Sequence, residues 1–205
     1  MKNVLIVGDS FSCIHKSDSD NIGWPELLKQ DYKITNLSQA GVSEYKIYKQ
    51  LKSIDVNKFD HIIVCHTSFT RIPIEKHPYY GDSDLHKDCD LIFTDVEDKK
   101  EKNEKLKVAY EFFKEFFWEE YFIFSNKLIF EEIYKKTKNK THITFFDFND
   151  KRVLNLKNIF DDYRGDINHL NKQGNIIIYN QIKNRLWTEE YEEQNQKEQE
   201  LVEVD

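Results

Sequence analysis

The sequence predicts an α/β fold, with a parallel sheet covered by helices on both faces. Three observations carry that reading. The runs VLIV (4–7) and IIVC (62–65) are almost continuously apolar, as strands buried on both sides are. Strand-like and helix-like segments alternate along the chain, the pattern of a doubly wound layer. A chain of 205 residues suits one such domain, and 14% aromatic residues help fill a core that a hydrophobic content of only 39% would otherwise leave thin.

Taken in order, VLIV is the first strand. The alternating YKITNL (32–37) is the second, FDHIIVC (59–65) the third and HITFFDF (142–148) the fourth. RVLNL (152–156) is a short fifth candidate. Pro25 suits the first turn of a helix over PELLKQ, because the N–H it lacks is unpaired there anyway. SEYKIYKQLKSI (43–54) reads as a helix with Ser43 as N-cap and Ile47, Leu51 and Ile54 on its apolar face. Residues 71–103 break the rhythm: they are polar, hold two of the three prolines, and read as a long loop. Residues 104–136 read as helical. On a continuous helix Ala109, Phe112, Phe113, Phe116, Ile123 and Phe124 share one face, while Trp118 and Phe122 point away and leave room for a dimer contact. Glu120 falls in the middle of that face, which calls for a kink, an ion pair or a wet site. LNKQGNIIIYNQIKNRL (170–186) closes the fold as a terminal helix. The expected organisation is one domain over 1–187, with an excursion at about 71–138, and an acidic tail over 188–205.

The net charge of −7 sits in that tail, which holds eight acids and one lysine; the rest of the chain is neutral. The tail is expected to be a solvated, frayed or disordered end. With no basic stripe, nucleic acid is not an expected partner. No apolar run reaches the length of a membrane helix, and no secretory signal is visible, so a cytoplasmic protein is the expectation. Cys13, Cys65 and Cys89 form no paired framework and no CxxC. The loop HPYYGDSDLHKDCD (77–90) is rich in His, Asp and Cys, but its spacing fits neither zinc nor calcium templates. No metal or cofactor is expected. The loop reads instead as a lid, with Tyr79 and Tyr80 available to stack on a sugar.

Two short stretches carry chemistry. In VLIVGDSFS, Gly8-Asp9-Ser10 follows the first strand, either as a plain turn or as a turn that aims Ser10 at a substrate. In GDINHLNKQGN, Asp166 precedes His169 by three residues; that spacing lets a carboxylate orient an imidazole, whose other nitrogen then serves as a base. A serine nucleophile needs such a base and such an orienting group. A second Gly-Asp-Ser at 81–83 has no strand before it and carries no such weight.

Taken together, VLIVGDSFS and DINHLNKQG resemble the first and last signature blocks of the SGNH, or GDSL, hydrolase family. NLSQAGVS (36–43) supplies Gly41 where the second block has a glycine. The third block departs: IIVCHTSFTR has His66, Thr67, Ser68 and Phe69 where the family carries an Asn. The resemblance covers most of 1–70 and 142–186. It implies a three-layer α/β/α sandwich of about five parallel strands in flavodoxin-like order. It also implies a nucleophile Ser10, a general base His169 oriented by Asp166, and an oxyanion hole from Ser10 and Gly41. Ser68 aligns best with the absent Asn, with Thr67 one residue away. Asp9, His66 and Arg71 are candidates to touch substrate. Arg71 is as well suited to a salt bridge.

The function expected from these residues is a serine esterase that hydrolyses or transfers a small acyl group, such as an O-acetyl on a glycan. The alternative is a weak or inactive binding module for a glycan or acylated ligand on the same fold. A phosphate or nucleotide binder also suits the sheet order but lacks a glycine-rich loop of either phosphate-binding type.

Overall fold

The apolar runs become the middle of one sheet. The protein is described here by a computed structural model, which covers residues 1–13, 21–81, 83–137, 140–148, 150–165 and 169–202, with backbone alone for 189–202. Five strands are β1 (Asn3–Gly8), β2 (Lys33–Asn36), β3 (His61–His66), β4 (Thr141–Thr144) and β5 (Leu154–Asn155). They lie in the order β2-β1-β3-β4-β5, and every pair is parallel. This is the predicted class, an α/β sheet with helices on both faces.

Strand alternation sorts the side chains into two cores. Val4, Ile6, Ile63, Cys65 and Ile143 pack on one face with Trp24, Leu28, Phe160, Ile178, Ile182 and Leu186. Those partners come from α1 (Trp24–Leu27) and the 3₁₀ turn that follows it, from α6 (Lys157–Asp162), and from α7 (Lys172–Val202). Leu5, Val7, Ile62 and Val64 pack on the other face with Ile47, Leu51 and Ile133. These belong to α2 (Glu44–Lys52) and α5 (Glu119–Lys136). Pro25 stands at the start of α1 as expected. Ser43 precedes α2, but its side chain makes no capping bond.

The excursion is more ordered than a loop. Ile72 and Leu91 bridge in antiparallel fashion, closing 71–92 into a pinned flap. It leads into α3 (Phe93–Lys99), a 3₁₀ turn and α4 (Glu104–Glu115). Val96, Leu106 and Phe113 make a small third core there.

The single aromatic face expected over 104–136 is not what forms. The helix stops after Glu115 and restarts at Glu119, so the 100° count does not carry across residues 116–118. Phe113 is buried at 8%, whereas Phe116 and Phe124 are 74% and 59% exposed. Trp118 becomes the residue before α5, and Phe122 stacks on Phe117 at 4.7 Å. Glu120 lies exposed in the first turn of α5, where a negative charge suits the helix dipole. The interruption falls at residues 116–118, ahead of Glu120, which itself lies in regular helix.

The backbone of α7 continues as helix through most of the acidic segment to Val202. Its run of Glu, Gln and Lys with no Gly or Pro favours helix over coil. Among the described residues, no helix is long and apolar enough to cross a membrane.

Candidate functional site

Loops leaving the carboxyl ends of β1, β2 and β3 meet at one end of the sheet, the crevice where open α/β sheets place their ligands. After β1 the chain turns at once: Ser12 N–H donates to the Asp9 carbonyl at 3.1 Å, and Phe11 N–H to Asp9 Oδ1 at 3.0 Å. The turn is tight against β3, since a Cβ on Gly8 would lie 2.6 Å from Cys65 Cβ and 2.8 Å from its carbonyl oxygen. Ser10 stands half-buried at the corner.

Gly41 follows β2 with φ +74°, a backbone state that glycine adopts without strain. A Cβ there would meet Cys89 Sγ at 2.5 Å. Asp90 N–H donates to the Gly41 carbonyl at 3.0 Å, so the flap holds this loop in place. The buried Asp90 carboxylate adds bonds from Ser43 N–H (2.7 Å), Ile74 N–H (2.9 Å) and Lys46 Nζ (2.7 Å).

The third loop is tied from two sides. Thr67 Oγ1 donates to Asp9 Oδ2 at 2.8 Å, and Thr67 N–H donates to Glu44 Oε2 at 3.3 Å. Arg71 joins all three loops. Its guanidinium pairs with Asp9 Oδ2 at 3.1 Å, donates to the Val42 carbonyl at 2.7 Å, and covers the Phe146 ring at 5.5 Å. Thr67 thus spends its hydroxyl on Asp9. Ser68 keeps a half-buried hydroxyl, shared with Thr70 Oγ1 at 2.9 Å.

Asp9, His66 and Arg71, the three candidates for substrate contact, are buried at 0%, 0% and 6% exposure. Each has protein partners, although Arg71 Nε is buried with none. In this arrangement they hold the three loops together.

His66 belongs to a buried chain. Its Nδ1 meets Glu44 Oε1 at 2.5 Å, its Nε2 meets His142 Nδ1 at 2.8 Å, and His142 Nε2 meets Thr137 Oγ1 at 3.1 Å. Hydrogen bookkeeping orders it. Thr137 Oγ1 donates to the Ile133 carbonyl at 2.8 Å, so it accepts from His142 Nε2–H. His142 Nδ1 is then bare and accepts from His66 Nε2–H. Burial, then the neighbouring His66, lowers the His142 pKa to about 3, in keeping with a neutral ring.

His169 is half-buried, and its ring lies 5.4 Å from that of Phe11, the residue after Ser10. Phe11 anchors the meeting point by stacking on Phe145 at 4.6 Å and touching Phe160 edge-on at 4.9 Å. The two ends of the chain therefore come together at the Ser10 turn. Asp166 lies outside the described residues, as does Asp82 of the flap.

The three thiols are buried, and burial pushes the pKa of each upward, with Cys89 reaching about 12. Burial thus disfavours the reactive thiolate form at each of them. In the flap, His77 Nδ1 accepts from both Tyr79 and Tyr80 N–H at 3.1 Å. The Tyr80 ring is held between His77 and His86, while Tyr79 is 42% exposed. Among the described residues, no three His, Cys, Asp or Glu side chains converge as metal ligands.

No family model matches this sequence. No curated protein matches it at a significant level. Among solved structures, it aligns with a psychrotrophic esterase, EstA, from Pseudoalteromonas sp., in a structure inhibited by monoethylphosphonate. The identity is 13% and the TM-score 0.43, over 92% of this chain and 98% of that one.

Sequence reading missed Glu44, His142 and Asp90. The parity of IIVCH and HIT puts His66 and His142 on strand faces, but nothing in either segment says that β3 and β4 are neighbours. Asp90 was read as one more acid in a polar loop.

Proposed function

We propose that this chain is a serine esterase of the SGNH kind, acting on a small acyl ester such as an O-acetyl group on a glycan. The observation that carries the reading is the packing of His169 against Phe11, beside Ser10. It joins the two sequence blocks on which the resemblance rests.

In this mechanism Ser10 Oγ attacks the ester carbonyl while His169 takes its proton. Asp166 orients the imidazole and stabilises its charged form. The tetrahedral oxyanion accepts hydrogen bonds from Ser10 N–H, Gly41 N–H and Ser68 Oγ–H. His169 then returns the proton to the leaving alkoxide, and the alcohol departs from an acyl-enzyme. Water activated by His169 attacks that ester, releasing the acid and free Ser10; a second alcohol in place of water gives transfer.

The test is labelling with a fluorophosphonate together with p-nitrophenyl acetate hydrolysis. Labelling and turnover in the wild type, both lost in Ser10→Ala, support the proposal. Equal labelling of the two proteins with no hydrolysis defeats it.

One observation favours a second reading, a binding module with little turnover. The third loop has a hydroxyl, on Ser68, where an Asn amide would stand. A side-chain oxyanion donor is worth roughly 10²–10³ in rate. Ser68→Asn raising kcat by about tenfold or more would mark the natural site as a weakened catalyst.

A further inference from the structure

The flap and α2 enclose a solvent-open cavity of about 610 Å³, within the range of small-molecule sites. Its walls are the loop after β2, one side of α2, and residues 73–75 with Asp88. On its floor Gln50 accepts from Gly8 N–H at 2.8 Å and donates to the Gly8 carbonyl at 3.2 Å, two residues before Ser10.

The lining groups carry both signs of charge. Lys46 is committed to Asp90 and to the Asp88 carbonyl, at 2.7 and 2.6 Å. Among the described residues, the Lys49 and Glu75 side chains and the Tyr45 hydroxyl have no hydrogen-bond or ion-pair partner. Gln39 Oε1 is a buried acceptor that also has none. The Tyr45 ring is 43% exposed.

We propose that this cavity binds a neutral polyhydroxylated ligand, a sugar unit of a glycan. With Lys46 paired to Asp90, the lining offers Lys49 against Glu75 and Asp88, neither a cluster of cations to hold an anion nor convergent carboxylates to hold a cation. Hydroxyl groups suit such a mixed lining because each both donates and accepts. A sugar donates to Glu75 and the Gln39 carbonyl, accepts from Lys49, and lays its C–H face on Tyr45. Leu37, Gln39 and Val42 of the loop that carries Gly41 line the cavity. Its role as the alcohol-side subsite of an ester rests on the esterase reading; sugar binding itself does not.

The test titrates wild type and Ser10→Ala with xylobiose, cellobiose, chitobiose and maltose, by calorimetry and saturation-transfer NMR. Saturable millimolar binding of at least one disaccharide is expected in both proteins. It should weaken by about tenfold in Tyr45→Ala and in Lys49→Ala, the loss of one good contact. Both positions are at the surface, and circular dichroism checks that the variants are folded. Absence of binding by every disaccharide, or binding that both substitutions leave unchanged, overturns the proposal. Inorganic phosphate displacing the sugar overturns it too, since that marks an anion site. The subsite role is read from kcat/KM for O-acetylated xylobiose relative to p-nitrophenyl acetate. A fall in this ratio of about tenfold in Tyr45→Ala supports the role, and an unchanged ratio removes it. If wild type hydrolyses neither ester, the esterase reading fails, while the titrations still decide the sugar site.

Discussion

Gly41 sits at φ +74° with Cys89 Sγ against its Cα face, so any larger residue meets both backbone strain and a clash. Gly41→Ala should lower stability by roughly 1–2 kcal/mol through the left-handed backbone alone, more if Cys89 does not yield. Urea denaturation measures that loss; under the proposed esterase function, p-nitrophenyl acetate turnover falls with it as the Gly41 N–H moves. The Asp9–Arg71 pair makes a second prediction at this scale. Arg71→Met leaves a buried carboxylate without its partner, and such losses cost about 3–5 kcal/mol. Adding Asp9→Asn should recover much of that cost, because the unpaired charge is then gone. A double-mutant cycle by chemical denaturation checks it, and additive losses would show that the pair is not coupled.

His142 ties stability to pH. Its pKa is lowered to about 3 in the folded protein, against an ordinary 6.5. Below pH 6.5 the unfolded chain therefore binds the extra proton and the folded chain does not. Stability present above pH 6.5 is lost as pH falls toward 3, at up to about 1.4 kcal/mol per pH unit for one proton. His77, its pKa lowered by burial, acts in the same direction. Between pH 6.5 and 5 few carboxylates titrate, so unfolding free energies across that window isolate the histidines. A flat profile there would contradict the buried neutral ring.

Among the elements, the break between α4 and α5 decides which aromatics hold the fold. Phe113 lies in the small core with Val96 and Leu106, while Phe116 and Phe124 face solvent. Phe113→Ala should cost about 3 kcal/mol, and Phe116→Gln or Phe124→Gln less than about 0.5 kcal/mol. Urea midpoints of the three variants give the comparison. The strands were legible because burial on both faces writes an apolar run into the chain, as in VLIV. The break was not, because amphipathic spacing reads the same whether residues 116–118 continue a helix or interrupt it. The flap was half legible. Its polarity and prolines marked a departure from regular structure, but the Asp90 carboxylate that fastens it to α2 and the Gly41 loop looked like any surface acid.

For the whole molecule, parallel strands deliver their loops to one end of the sheet, and that common end brings residues far apart in sequence together, Phe11 and His169 among them. Ser10 and His169 were named from local pattern, since a strand-to-turn Gly-Asp-Ser and a DxxH before a helix each keep their residues close along the chain. Asp9 and Arg71 were named singly, and Arg71 was read as suited to a salt bridge, but that the two pair with each other was not legible, because a charge beside a crevice and a charge beneath it look alike in sequence. The chain by itself determined the layer architecture, the strand segments and the two end blocks, all of which follow from short-range periodicity and turn chemistry. Only the tertiary structure decided the Asp9–Thr67–Arg71 clamp, the Glu44–His66–His142 chain and the cavity along α2. The reason is that those contacts depend on which strands are neighbours and on where the flap folds back, and no local pattern records either.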